Sequence, residues 1–307
     1  MKRILVVGEV NVDLVFRDCS AFPQPGKEVL AEDFVLAPGS SSMICAMGLA
    51  RLGNPVAFVG KVGGDQWGDY CLAALRDAGV DTNGMRRDTA LRTGVTASLS
   101  TARDRALVTF AGAIDALHAE DVSDACLQAA DHLHVSSYYL QRSLRLGCSG
   151  LFARAQRHGL TISLDPGFDP EERWGDDLID TLKRVDLFLP NDLELRGITG
   201  RTSVAEGLLA LANGHTRTAV KRGRQGSATL DGERLIDMPA YSVASVDSTG
   251  AGDSFDAGFI HAWLRQQPPI DCLRWGSACG SLSTRGIGGT SCQADSPEAL
   301  ALIEANP

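Results

Sequence analysis

Short apolar runs alternate with longer helical patterns along most of this chain, and that rhythm narrows the folds open to it. Residues 4–8, 56–59, 132–135, 161–164, 187–189 and 218–221 read as strands. Residues 43–52, 66–78, 119–130, 140–158, 178–184 and 204–212 read as the helices between them. A β-α-β order predicts a mostly parallel sheet with helices on both faces, so the fold class is α/β. Residues 12–37 and 93–109 break the rhythm, being β-rich with no crossover helix between their strands. They predict an inserted antiparallel patch, such as a lid over a cleft. The C-terminal third is helical at 251–265 and 270–284, with Pro268-Pro269 as the breaker between.

Composition sets outer limits. The 307 residues are 44% hydrophobic and 22% charged, room for one large α/β domain or two smaller ones. We read a single domain over 1–307, with the lid inserted from about 12–37 and 93–111. A formal net charge of −9 argues against nucleic acid as a partner, because its phosphates reward a basic face. Nucleotides stay open, since their charge is met locally by Mg²⁺ and N–H groups. No run is long enough to span a membrane, and the apolar run at 4–8 is too short for a signal peptide. The eight cysteines form no C-x-x-C pair and sit in apolar contexts. That predicts free thiols and a cytoplasmic location.

One stretch carries most of the chemistry: Val246-Asp247-Ser248-Thr249-Gly250-Ala251-Gly252-Asp253-Ser254-Phe255. Two glycines let the backbone turn tightly and gather N–H groups into one concavity. The helix that follows adds its own unpaired N–H groups and the positive end of its dipole, a pocket suited to phosphate. A carboxylate at its rim, Asp253, is costly beside bound phosphate unless it takes a proton from an attacking hydroxyl. The plainer reading is a glycine-rich helix start capped by an acid.

This stretch resembles the C-terminal signature of the ribokinase/PfkB carbohydrate kinase family, Asp-Thr-x-Gly-Ala-Gly-Asp, with Ser248 for the usual Thr. The resemblance implies a ribokinase-like sheet with a small β-rich lid, and an ATP- and Mg²⁺-dependent kinase. It implies Asp253 as catalytic base, with the N–H groups of Gly250, Ala251, Gly252 and Asp253 as anion hole. Asp247 and Thr249 would lie at a monovalent-cation site, K⁺ in the family, which the glycine turns of 284–291 would help enclose.

Other segments extend the likeness in order over residues 4–291. Asn11 and Asp13 share one face of an extended segment after the first strand, as in the family's sugar-binding Asn-x-Asp. A solvated turn is the reading from spacing alone. Pro38-Gly39-Ser40-Ser41-Ser42-Met43-Ile44, running to Ala50-Arg51-Leu52-Gly53, resembles the N-terminal signature. Gly39 matches, but Ser40 stands for the second glycine, Ser41 for the lysine of ribokinases, and Ile44 for the asparagine that contacts substrate. Ile44 then predicts an apolar wall in the substrate pocket. Arg103, Asp104 and Arg105 match the lid of many sugar kinases, where an arginine, Arg105 here, reaches a substrate phosphate or simply meets solvent.

On the nucleotide side, Asn191 and Glu194 resemble the family's Asn-x-x-Glu: Glu194 would hold Mg²⁺ through water while Asn191 positions phosphate oxygens. The same pair reads as a capping box, and both can hold at once. Lys221, Gly223 and Gly226 follow a strand and resemble the nucleotide-binding turn, with a hairpin turn as alternative. The expected activity is phosphorylation of a hydroxymethyl group on a sugar-like small molecule. A nucleoside kinase, with Tyr138 and Tyr139 stacking on the base, and a non-catalytic sugar sensor are the alternatives. A homodimer paired through the lid is left open.

Overall fold

The computed structural model describes residues 1–101, 105–175 and 177–306. Its strands are β1 (Ile4–Val7), β2 (Asn11–Arg17), β3 (Asp33–Pro38), β4 (Val56–Val59), β5 (Lys61–Gly63), β6 (Arg86–Asp88), β7 (Gly94–Ser100), β8 (Arg105–Phe110), β9 (His132–Val135), β10 (Thr161–Leu164), β11 (Leu187–Phe188), β12 (Arg217–Lys221), β13 (Ser227–Asp231) and β14 (Arg234–Met238). Its α-helices are α1 (Ser41–Arg51), α2 (Gln66–Asp77), α3 (Asp124–Gln128), α4 (Arg142–Arg157), α5 (Asp177–Leu182), α6 (Asp192–Thr199), α7 (Val204–Leu211), α8 (Ala251–Trp263), α9 (Pro269–Ser283) and α10 (Ser296–Glu304).

An eight-stranded sheet runs β14-β13-β12-β11-β10-β9-β1-β4, parallel from β12 through β4 and antiparallel at β12–β13 and β13–β14. Strand β1 pairs with β4 on one side and β9 on the other, so the chain leaves it in both directions. Beyond the carboxyl end of such a strand a crevice opens, which is where ligands of open α/β sheets bind. Alternate β1 residues feed two cores: Ile4 and Val6 pack with Met43, Leu49, Phe255 and Phe259, Leu5 and Val7 with Leu144, Leu151 and Phe152. Both faces are therefore covered, and the central strands read as continuous apolar runs for that reason.

A second sheet, β3-β2-β7-β8, is the inserted patch. It differs from the antiparallel expectation in one pairing: β2 and β7 run parallel, from Asn11 opposite Gly94 to Phe16 opposite Leu99. The chain between them passes through α1, β4 and α2, the long crossover that parallel strands need. Phe34, Leu107, Val108 and Phe110 are exposed on this sheet. The helix expected over 119–130 is broken in two. Asp121 accepts the His118 N–H and closes a short 3-10 turn, and Ser123 then caps α3 by accepting from the Cys126 N–H. The β13–β14 hairpin lacked a strong period and was not among the expected strands. The eight cysteines are free thiols, six of them buried. Among the described residues no helix is long and apolar enough to cross a membrane.

Candidate active site

The end of β1 turns through Gly8-Glu9-Val10 into β2, and Asn11 and Asp13 start the lid at that corner. Asn11 Nδ2 donates to Asp13 Oδ1 at 2.9 Å and to Thr96 Oγ1 at 3.1 Å. Burial pushes the Asp13 carboxyl up to about 6, against the pull of the Asn11 amide and the Arg105 charge. A Cβ on Gly39 would lie 2.1 Å from Asp13 Oδ1 and 2.8 Å from Asn11 Nδ2. Only glycine lets the start of α1 come this close to the pair.

Ser40 caps α1 with a backbone at φ 68° and ψ 142°, a region costly for any residue with a Cβ. Two hydrogen bonds hold it there: its hydroxyl donates to the Glu9 carbonyl at 2.7 Å and accepts from the Met43 N–H at 3.1 Å. Ser41 bonds the Asp253 carboxylate. Ile44 is 3% exposed and does not form a pocket wall. A Cβ on Gly289 would lie 2.4 Å from Ile44 Cδ1, and one on Gly250 would lie 3.1 Å from its Cγ2. The side chain is packed behind the glycine turn, because those two glycines leave a hollow there.

Helix α8 begins after Gly250, which is left-handed at φ 69°, and no side chain caps its first turn. Gly250, Ala251 and Gly252 form the turn, the Ala251 N–H donating to the Ser248 carbonyl at 3.3 Å, and Asp253 lies in the first helical turn. Burial, and next the charge of Asp165, push Asp253 up to about 7. Asp165, Asp253 and Asp256 bring carboxylate oxygens within 4.8 Å of one another. Lys221 joins them, donating to Asp165 at 2.5 Å and to both Asp256 oxygens at 3.0 Å. Burial opposes its charge, but Asp165 and Asp256 raise it well above the usual lysine range.

Asn191 and Glu194 form a reciprocal cap at the start of α6. The Asn191 N–H donates to Glu194 Oε2 at 2.8 Å, its side-chain amide to Oε1 at 2.7 Å, and the Glu194 N–H to Asn191 Oδ1 at 2.8 Å. Burial, then the Asp165 charge, push Glu194 up to about 8. Both of its oxygens are engaged by Asn191. Asn191 also bridges to Lys221 in the neighbouring strand. Gly223 and Gly226 lie in the β12–β13 turn, at φ 54° and 88°.

Asp247 accepts from the Thr249 N–H and hydroxyl at 2.9 and 2.8 Å and from the Gly288 N–H at 2.9 Å. Burial raises it, but those N–H groups overcome burial and hold it below the usual carboxylate range. Arg105, on lid strand β8, donates to Thr249 Oγ1 at 2.7 Å. A guanidinium therefore already faces the turn expected to meet a monovalent cation. Arg103 and Asp104 lie outside the described residues.

Sequence reasoning passed over Glu9, Asp165 and Asp256. Glu9 accepts from the Ser42 hydroxyl and N–H at 2.5 and 3.2 Å, and burial raises its carboxyl. Asp165 follows β10 at the carboxyl end of the sheet, the position that flagged Asn11, and Asp256 lies one turn beyond Asp253. Those were available signals. Tyr138 and Tyr139, at 1% and 2% exposure, are core residues and have no face left for a base.

An uncapped helix start with a raised carboxylate beside it is the equipment of a phosphoryl-transfer enzyme, where positioning and charge do most of the work. Comparison with known proteins names the family. The pfkB family carbohydrate kinase model matches residues 1–296. An ATP-dependent ribose-1-phosphate kinase of Halopiger xanaduensis is 31% identical over 287 residues, covering 92% of each chain. Arabidopsis thaliana ribokinase, solved with ribose and ATP, superposes with a TM-score of 0.83 at 24% identity and 99% coverage of each chain. A Vibrio cholerae fructokinase double mutant, solved with fructose, ADP and potassium, gives 0.81 at 26% identity, covering 99% of this chain and 98% of that one. The chain belongs to the pfkB family of carbohydrate kinases and is a phosphotransferase with an alcohol group as acceptor.

Proposed function

We propose that the protein transfers the γ-phosphoryl group of ATP to a hydroxymethyl group of a sugar or sugar-like substrate, with Asp253 as general base. The observation that carries this is Asp253 itself: a carboxylate raised to about 7, in the first turn of a helix whose N–H groups no side chain caps. A base poised near neutrality accepts a proton most effectively at that pH.

Asn11 and Asp13 hold the sugar hydroxyls at the lid corner, with Gly39, Ser40 and Ser41 as the floor. The substrate O–H gives its proton to Asp253 as its oxygen bonds to the γ-phosphorus, and the bond to the β-phosphate oxygen breaks to release ADP. The N–H groups from Gly250 to Asp253 meet the charge on the equatorial oxygens. Lys221 neutralises part of the acid cluster behind them. Asn191, Gly223 and Gly226 would border the nucleotide, and Glu194, once deprotonated, would hold Mg²⁺. When bound, Mg²⁺ neutralises charge on the transferring phosphate and the departing ADP. The Asp247–Thr249 turn is the K⁺ position by family likeness.

Arg105 favours a narrower reading, a substrate that itself carries a phosphate. Its positive charge acts on Asp13 and Asp247 at the sugar end of the site, and a phosphate there would meet that charge. The Halopiger relative, a ribose-1-phosphate kinase by name, supports it. The nucleoside alternative loses the stacking platform expected from Tyr138 and Tyr139, which lie in the core. An ATP-consumption screen over D-ribose 1-phosphate, D-ribose, D-fructose, keto-deoxy acids and nucleosides tests both readings. Turnover with the phosphorylated sugar alone supports the narrower one, and turnover with none overturns both.

A further inference from the structure

We infer that Gln293 is a positioning residue for the base, tying the helix that carries Asp253 to the helix that floors the sugar site. This rests on the proposed role of Asp253. The Gln293 amide nitrogen donates to the Ile44 carbonyl at 2.8 Å and to Ser254 Oγ at 3.2 Å. Ile44 lies in the first turns of α1, behind Ser40 and Ser41. Ser254 is the residue after Asp253. An NH₂ group carries two hydrogens, so both bonds are made at once.

The slot is built for this amide. Gln293 is 3% exposed. A Cβ on Gly48 would come within 2.9 Å of Gln293 Nε2 and 3.0 Å of the Ala257 Cβ. So α1 and α8 approach each other where only glycine leaves room, and the amide fills the gap beside them. The segment around it grips the same parts. The Gly288 N–H bonds Asp247, Gly289 packs on Ile44, and Ser296 Oγ donates to the Leu52 carbonyl at 2.8 Å, at the far end of α1. The tail after α9 is thus a strap along α1, and Gln293 is its link to the base.

Packing alone does not require an amide. An apolar residue of the same length would fill the slot without a desolvation cost. What the amide adds is direction: it fixes the Ser254 hydroxyl and the Ile44 carbonyl against each other, and hence the first turn of α8 against the sugar floor. Reactions that depend on near-attack geometry are sensitive at this scale, a misplacement of about 1 Å costing roughly 10²-fold in rate.

The test uses Gln293→Met, which keeps length and loses both donors, Ser254→Ala, and the double variant. Hydrogen–deuterium exchange of the sugar-free, ATP-free protein reads the segment 248–256, with 132–135 as internal control. Rates are measured with whichever of D-ribose 1-phosphate, D-ribose and D-fructose the unmutated protein phosphorylates. Gln293→Met is expected to speed exchange over 248–256 and leave the control unchanged. It should lower kcat roughly 10-fold while KM for ATP stays within about two-fold, and add little in the Ser254→Ala background. Unchanged exchange over 248–256 overturns the inference, as does an undiminished kcat loss in that background. If none of the three sugars is phosphorylated, the proposed substrate class falls, while the exchange measurement still decides the role of Gln293. Should Gln293→Met not fold, Ser254→Ala alone must show the faster exchange, and its failure to do so overturns the role.

Discussion

The Lys221 ammonium lies 2.5 Å from Asp165 and 3.0 Å from both oxygens of Asp256, so one positive charge serves two buried carboxylates beside the base. Burial holds the Asp256 carboxyl well above the usual carboxylate range, while Asp165 stays below it. Burial, and next the Asp165 charge, raise Asp253 to about 7 against the pull of Lys221. A base must be deprotonated to act, so kcat/KM should rise with pH through about 7 and level off above it. Lys221→Met removes the nearest positive charge and should move that midpoint upward. A profile flat from pH 5.5 to 8.5 would take Asp253 out of the rate equation.

Asp253→Asn keeps the shape of the side chain and removes its capacity to accept the proton. Turnover should drop by roughly 10²–10⁴, the usual worth of general base catalysis, with ATP affinity within a few-fold. Steady-state kinetics and calorimetric ATP titration check the two halves. Near-normal turnover in a folded variant would refute the assignment.

Glu194 caps α6 with Asn191 and, in the proposed site, holds Mg²⁺ through water. Its folded-state carboxyl, raised to about 8, binds a proton that the unfolded chain releases near 4.5. The group therefore supports the fold fully below about 4.5 and loses that support as pH rises through 8. Glu194→Gln keeps an oxygen for the cap and cannot ionise. It should flatten the decline in denaturant midpoint between pH 5 and 8.5 and raise the Mg²⁺ concentration needed for half-maximal activity. An unchanged Mg²⁺ requirement would reduce Glu194 to a cap.

Much of this was legible in residue order, and the rest was not, for physical reasons. Strands buried on both faces announce themselves as apolar runs, so the parallel sheet was readable. The direction of β2 against β7 was not, because residues 12–37 and 93–109 look the same whichever way they pair. Asn11, Asp13, Asp247 and Asp253 stand in short motifs near strand or helix ends, where local pattern carries information. Asp165, Asp256 and Lys221 meet from separate strands and a helix, and only the sheet order joins them. Gln293 had no sequence signal: its partners are a backbone carbonyl and a serine that other segments supply. Ile44 was read by likeness as a pocket wall, and the hollow left by Gly250 and Gly289 turned it the other way.

His134 lies in a buried chain of hydrogen bonds. Its Nδ1 is 2.8 Å from Ser163 Oγ and its Nε2 is 2.7 Å from Ser136 Oγ, while Ser163 reaches His132 Nε2 at 2.8 Å. Burial lowers His134 to about 4 and His132 well below its ordinary range. The unfolded chain thus binds more protons than the folded one between about 4 and 6.5. Stability is full above 6.5 and is lost as pH falls toward 4. Urea midpoints from pH 7 to 4.5 should fall, and fall less in His134→Gln, which has no proton to gain. An equal slope in both proteins would rule out this imidazole as the source.

Ser40 combines a strained backbone with a good cap, and its substitutions separate the two. Ser40→Gly relieves φ 68° and loses the hydroxyl bonds to Glu9 and Met43, so opposing effects of about 1 kcal/mol nearly cancel. Ser40→Ala keeps the strain and loses the cap, and should cost about 1–2 kcal/mol. Chemical denaturation of the pair gives the order. Alanine equal to or better than glycine would show that the backbone at this site carries no strain.

Ile44 supplies the sharpest test of the site's architecture. Its methyl groups fill the hollow behind Gly250 and Gly289, and its carbonyl receives the Gln293 amide. An asparagine there would bury an amide against glycine Cα atoms, and a buried polar group without partners costs about 1–3 kcal/mol. It would also leave a void behind the anion-hole turn. Ile44→Asn should therefore lower the melting temperature and kcat for every substrate alike, and should not shift preference toward fully hydroxylated sugars. Ile44→Val removes one methylene and should cost about 0.5–1.5 kcal/mol in stability with a smaller loss of turnover. The ratio of kcat/KM for D-ribose to that for the best substrate, measured in both variants, is the deciding quantity. A ratio that rises selectively in Ile44→Asn, with stability intact, would mean that residue 44 reads sugar hydroxyls after all. A uniform fall means that it holds the turn onto which the phosphate is moved.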